Sequence, residues 1–139
     1  ELHGNIYTAT CVRCYQVFAS DQFVHALIDE GRVPVCPVCG NTLKPNVILF
    51  GEALPAQALM AAKRASNHCD LMIVAGSSLE VAPASDLPMT VLARQARLVI
   101  INRDPTYLDD QADVLIREDL AVALPALAAA CGKRYPDNW

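Results

Sequence analysis

The chain has 139 residues, 53% hydrophobic and 19% charged, with a formal net charge of −4. That composition supports a folded core and excludes a disordered chain. The acidic balance, with no basic stripe, excludes nucleic acid as a main partner, and no apolar run approaches the length of a membrane span.

In chain order, Glu1–Asn5 is a short entry segment that carries His3 before Gly4. Ile6–Thr10 is rich in β-branched and aromatic residues and reads as a strand. It leads into Cys11-Val-Arg-Cys14, which is answered after residues 15–35 by Cys36-Pro-Val-Cys39-Gly40. Two Cys-x-x-Cys pairs at this separation predict a zinc site. Each pair forms a knuckle that points two thiolates at one centre. Four thiolates close the tetrahedron, so the metal is structural and leaves no position for substrate. Two disulfides or four unrelated core cysteines are the competing readings, and a redox role is disfavoured by the presence of two such pairs. Between the knuckles, Ser20 or Asp21 is expected to cap a helix over 22–30, with Phe23, Leu27 and Ala26 inward and Gly31 ending it. Cys69 and Cys131 are left over as plain thiols, and the whole set suits a reducing cytoplasm.

Beyond residue 45 the pattern changes. Four nearly continuous apolar runs, 47–50, 71–75, 98–101 and 114–116, predict strands of a parallel sheet buried on both faces. Helices are expected between them: one opened by Pro55 with Leu59, Ala62, Ser66 and Cys69 on one face, a second over 87–96 with Val91 and Leu92 inward, and a third over 120–130 capped by Asp119 and closed by Gly132. Pro83 and Pro88 confine the regular part of the second to its end, and Pro125 should bend the third or restrict its first turn. Residues 134–139 read as a frayed or docked tail. The fold class is α/β, a Rossmann-like doubly wound parallel sheet with a small zinc lobe.

Ligands of such sheets sit at the carboxyl ends of the strands. Gly76-Ser77-Ser78 follows one strand, and its glycine, hydroxyls and N–H groups can hold phosphate or ribose oxygens; a tight turn is the alternative. Asn102-Arg103-Asp104 follows another and can bind a ribose hydroxyl, or simply cap a turn before Pro105. Phe50-Gly51-Glu52 places a carboxylate at a third strand end, where it can also serve a helix N-terminus. His25 and His68 read as solvent-facing. By spacing alone His3 reads more readily as a surface or hydrogen-bonded residue than as a base, and a Cys–His nucleophile pair fails because zinc has the better claim on the nearby thiols. The G-x-G-x-x-G fingerprint is absent.

Taken together, Glu1-Leu2-His3-Gly4-Asn5, the two Cys-x-x-Cys pairs, Pro45–Glu52, Gly76–Ala84 and Ile101-Asn102 resemble, in this order, the sirtuins, the NAD-dependent protein-lysine deacylases, and among them the bacterial type. The resemblance implies that His3 is the general base. In the family the acyl oxygen attacks C1′ of the nicotinamide ribose, and nicotinamide leaves. The histidine then takes a ribose hydroxyl proton so that this oxygen attacks the resulting imidate, a step that suits a neutral imidazole. Acylated ADP-ribose and free lysine result. The resemblance further implies NAD contacts at Gly76, Ser77, Ser78, Asn102, Arg103, Asp104 and, after Glu118-Asp119, Leu120. It implies substrate-peptide contacts by strand addition at Val47, Ile48, Phe50, Gly51 and Glu52 on one edge and Leu79, Glu80 and Val81 on the other. Cys11, Cys14, Cys36 and Cys39 match the family's structural zinc. The implied organisation is residues 1–5 with the catalytic histidine, 6–45 as zinc lobe and 46–139 as the C-terminal portion of the NAD-binding domain. The family's Gly-Ala-Gly phosphate loop and Gln-Asn-x-Asp segment have no counterpart here. The chain is therefore expected to be the C-terminal part of a deacylase, poor at NAD binding alone, with another chain or segment supplying the rest. A non-catalytic, zinc-lobed peptide-binding module is the alternative function.

Overall fold

The computed structural model describes residues 1–132 and divides into two compact units, Glu1–Leu59 and Met60–Trp139. The reading of residues 134–139 lies outside the described residues. Among those described, no helix is long and apolar enough to cross a membrane.

The first unit is built on an antiparallel sheet in which β1 (Gly4–Cys11) lies between β2 (Val17–Ala19) and β3 (Leu43–Val47). Here the expectation of a parallel strand over 47–50 fails. The strand ends at Val47 and pairs with β1, with Thr10 opposite Lys44 and Cys11 opposite Leu43. Its apolar tail, Ile48–Phe50, continues off the sheet end. An apolar run alone cannot distinguish a buried strand from a loop. Between Gly4 (opposite Val47) and Ala9 (opposite Pro45) β1 bulges. Asn46 spans the gap: its Oδ1 accepts from the Thr10 hydroxyl at 2.7 Å and its Nδ2 donates to Thr8 Oγ1 at 2.8 Å.

α1 spans Asp21–Ile28, shorter than expected. Neither candidate cap works as predicted. The Ser20 hydroxyl is buried without a partner, and Asp21 accepts only from the N–H of Gln22. Gly31, at φ +63°, ends the helix, its N–H reaching Leu27 O at 3.2 Å. α1 has no fully buried residue, and Leu27, expected inward, is exposed at the rim of an apolar cavity of about 390 Å³ lined also by Phe23, Ile6 and Leu43. The buried residues of this unit are Ala9, Cys11, Cys36 and Leu43, with Phe18 and Phe23 packed edge-to-face beside them at 6.2 Å.

In the second unit β4 (Leu71–Ala75), β5 (Arg97–Ile101) and β6 (Val114–Ile116) form a parallel sheet in that order, as their sequence predicts. Burial on both faces holds only for the central strand. Leu98, Ile100 and Ile101 are fully buried, whereas Leu71 and Ile73 of the flanking strand β4 are 50% and 51% exposed. α2 (Ala56–Ser66) starts just after Pro55, and the boundary between the units falls within it. α3 is Leu87–Leu92 rather than 87–96. Pro88 is accommodated in its first turn, and Gln95, at φ +59°, has left the helix. α4 is Leu120–Ala130: Asp119 caps it by accepting from Ala121 N–H at 2.7 Å, and the helix runs through Pro125. The core is Val74, Leu79, Leu98, Ile100 and Leu108, with Met72, Leu92 and Ala112 against it.

Truncating Leu98, which is fully buried in this cluster, should cost about 3 kcal/mol. Urea unfolding of Leu98→Ala reads it, and a loss below about 1 kcal/mol would mean that the sheet does not rest on this cluster.

Candidate functional site

Three groups of residues hold chemistry, two in the first unit and one in the second. The first is the thiol cluster. The two knuckles share one backbone shape. The residue after the second cysteine is left-handed in each, Tyr15 at φ +59° and Gly40 at φ +72°. Each donates its N–H to the carbonyl of the first cysteine, Tyr15 to Cys11 at 3.1 Å and Gly40 to Cys36 at 2.8 Å. The four sulfurs lie within 4.8 Å of one another, with Cys11 to Cys39 at 3.4 Å and Cys14 to Cys36 at 3.6 Å. A zinc–sulfur bond of about 2.3 Å in a tetrahedron requires edges of about 3.8 Å, so the donor set suits one structural zinc. The charge state agrees. The N–H of Cys14, aided by that of Arg13, draws the Cys11 thiol down to about 6 despite burial. At Cys14 the N–H of Gln16 pulls the same way, but burial and the neighbouring thiols push it up to about 12.

The second group is the strip around His3. The exposed His3 accepts from Ile48 N–H through its carbonyl at 3.0 Å, immediately after the Gly4–Val47 pair. Gly4 is obligatory there: at φ +69°, a Cβ would stand 1.8 Å from the Asn46 carbonyl oxygen. His3 is thus fixed by backbone beside Val47 and Ile48. Leu49–Glu52 then forms a braced turn. Glu52 accepts from Leu49 N–H at 2.9 Å and pairs with Lys44 at 3.0 Å, and Lys44 also donates to Val47 O at 2.9 Å. The Leu49 N–H, then the Lys44 ammonium, lower the Glu52 pKa below the ordinary carboxylate value. Phe50, at the turn, is 96% exposed.

The third group gathers at the carboxyl ends of the parallel strands. Gly76 N–H bonds Ile101 O at 2.9 Å, and Asn102 N–H bonds Ile116 O at 3.1 Å, so the three loops leave the sheet side by side. Gly76, Asn102, Arg103, Asp104, Glu118, Asp119 and Leu120 line one cavity of about 270 Å³. Gly76 is at φ +61°, and a Cβ on it would stand 2.7 Å from Leu120 Cδ1, so only glycine leaves the cavity floor open. Arg103 pairs with Asp119 on the wall. Ser77 and Ser78 do not line this cavity, and Ser77 Oγ accepts from Leu79 N–H at 3.2 Å. Leu79 is buried in the core, while Glu80 and Val81 are exposed.

Three residues that shape these groups escaped the sequence reading. Asn46 and Lys44 brace the His3 strip. Arg117, behind the cavity, donates to Asn102 O at 3.0 Å and to Asp104 O, and pairs with Asp109. Asn46 falls within the Pro45–Glu52 stretch but was given no role there, and Arg117 had only its place at the end of an apolar run as a signal.

The comparisons agree with this geometry. The Sir2 family model matches residues 1–83. NAD-dependent protein deacetylase 1 of Bradyrhizobium diazoefficiens is 44% identical over 124 residues, covering 89% of this chain and 48% of that protein. NAD-dependent protein deacylase 2 of Archaeoglobus fulgidus is 38% identical over 128 residues, covering 91% and 50%. Among solved structures, a Sir2 with p53 peptide and NAD+ superposes with a TM-score of 0.86 at 37% identity, covering 95% of this chain and 55% of that one. This chain therefore belongs to the Sir2 family. It spans about half the length of the curated relatives it matches.

Two outcomes follow from the charges. Chelation should strip the metal and unfold the first unit, because metal binding is coupled to folding of a lobe this small; a lobe whose circular dichroism survives metal removal would contradict it. Burial raises the Asp109 pKa, but the Thr106 hydroxyl and N–H and the Arg117 guanidinium together hold it below the ordinary value. Its stabilising contribution is therefore present above the unfolded value of about 3.9 and is lost as pH falls through the lower folded value. Denaturation curves should show native protein and Asp109→Asn differing near neutrality and converging as the acid range is entered.

Proposed function

We propose that this chain supplies the catalytic histidine, the zinc lobe and the adenosine side of the NAD site of a protein-lysine deacetylase. One observation carries the reading. Gly76, Asn102, Arg103, Asp104 and Leu120, scattered along the sequence and matched to NAD contacts by resemblance alone, line a single cavity. That cavity lies where ligands of parallel sheets bind. The relatives that match this chain are named NAD-dependent deacetylases and deacylases.

In this reading Gly76 gives the dinucleotide close access to backbone, and the Asn102–Asp104 loop holds the adenosine ribose. The acyl-lysine peptide adds as a strand along Val47–Glu52. Where Leu79–Val81 meets substrate, Leu79 contributes backbone, its side chain being committed to the core. Ser77 and Ser78 contribute through N–H groups or after a side-chain turn. His3, exposed and anchored to Ile48 by its own carbonyl, leaves its imidazole free to take the ribose hydroxyl proton. Zinc on Cys11, Cys14, Cys36 and Cys39 holds the lobe together and takes no part in the chemistry. Four thiolates on a metal suit a reducing compartment such as the cytoplasm.

Turnover also needs the family's glycine-rich phosphate loop, which these residues do not contain. The test is a fusion of this chain behind the N-terminal half of the 44%-identical relative, assayed for nicotinamide release from NAD and an acetyl-lysine peptide. Deacetylation that His3→Ala reduces by about a thousandfold is the expected result, in the range that general-base loss allows. A folded, zinc-loaded fusion that binds the peptide but neither NAD nor turns over would instead favour a peptide-binding module.

A further inference from the structure

We infer that Arg117 is a positioning residue for the nucleotide cavity, acting on the ligand only through the Asn102–Asp104 loop. The inference rests on the reading of that cavity as an adenosine site. Arg117 itself is not among the residues lining the cavity. It sits behind the loop and holds it by backbone. Parallel pairing puts Ile116 opposite Ile101, so the next residues, Arg117 and Asn102, leave the sheet together. Arg117 Nη1 donates to Asn102 O at 3.0 Å and also to Asp104 O. Asn102 Nδ2 donates to the same Asp104 carbonyl at 2.9 Å.

Two carbonyl oxygens two residues apart thus converge on one guanidinium nitrogen. Convergent carbonyls repel one another, and a fixed cation between them removes the repulsion. The other end of the guanidinium is fixed too. Nη2 pairs with Asp109, whose carboxylate is itself held by the Thr106 N–H at 3.1 Å and the Thr106 hydroxyl at 2.8 Å. The planar fork therefore bridges a rigid turn on one side and the cavity loop on the other. Lysine keeps the charge but not the fork, so it can serve only part of this set. Arg103, by contrast, is on the cavity wall and is paired with Asp119, so it cannot substitute for Arg117 behind the loop.

The test measures ADP-ribose affinity by calorimetry and loop amide exchange by hydrogen–deuterium exchange, in the fusion with the N-terminal half of the 44%-identical relative and in its Arg117→Ala and Arg117→Lys variants. Arg117→Ala should weaken ADP-ribose binding about tenfold, the effect of losing charge-assisted hydrogen bonds. Arg117→Lys should recover part of that loss. Amides of residues 102–109 should exchange faster in Arg117→Ala while those of β4 and β5 keep their rates. Unchanged affinity in Arg117→Ala overturns the inference, whatever the exchange rates. Equal affinity losses in the two variants also overturn it, because the fork and not the charge alone is invoked and lysine would then restore nothing. If Arg117→Ala does not fold, Arg117→Lys carries the test, and native affinity in it is the overturning result. A folded fusion that binds no ADP-ribose sinks the adenosine reading itself, an outcome distinct from all of these.

Discussion

Mutual repulsion among four sulfurs is the constraint on which the first unit depends. Two of its four buried residues, Cys11 and Cys36, belong to the thiol cluster, and the others, Ala9 and Leu43, contribute little apolar area. A lobe with so small a hydrophobic centre cannot offset its chain entropy by burial alone. A zinc on the four thiols would replace the missing core. It also determines what else the unit can do, because β1 ends at Cys11 and begins at Gly4. The strand that carries the first donor is the one that presents His3 at its other end.

The second unit solves a different problem. Its central strand is sealed, and its chemistry lies at one end of the sheet. Parallel pairing in register gathers three loops there without any loop needing length of its own. What remains is to keep the loops from collapsing onto one another. Gly76 does this by omitting a side chain, and Arg117 by placing a cation behind the loop. These are opposite devices, one of removed bulk and one of added charge, and both leave the cavity wall polar and open.

Much of this was legible in the sequence because it depends on spacing. The thiol pairs, the three parallel strands and the Asp119 cap follow from local pattern and from what thiolates, branched side chains and carboxylates do. The cavity was legible only as separate strand ends, and the resemblance to sirtuins joined them. What could not be read depends on partners distant in the chain. Val47–Phe50 was apolar enough for a strand, but only Val47 pairs with β1, beyond the bulge that Asn46 spans. Leu27 had the period of an inward residue, yet the helix stands off from the sheet. Lys44 and Arg117 are ordinary surface cations by sequence; only the fold brings carbonyls to them.

The shared backbone of the two knuckles has an asymmetric consequence. The same left-handed residue is free of steric cost at Gly40, but it costs on the order of 1–2 kcal/mol at Tyr15, whose Cβ crowds the following carbonyl. The first knuckle is held in a costly shape by the structure around it, while the second adopts its shape readily. Cys36 and Cys39 are thus the preorganised half of the thiol cluster, and Cys11 and Cys14 the half that carries backbone strain.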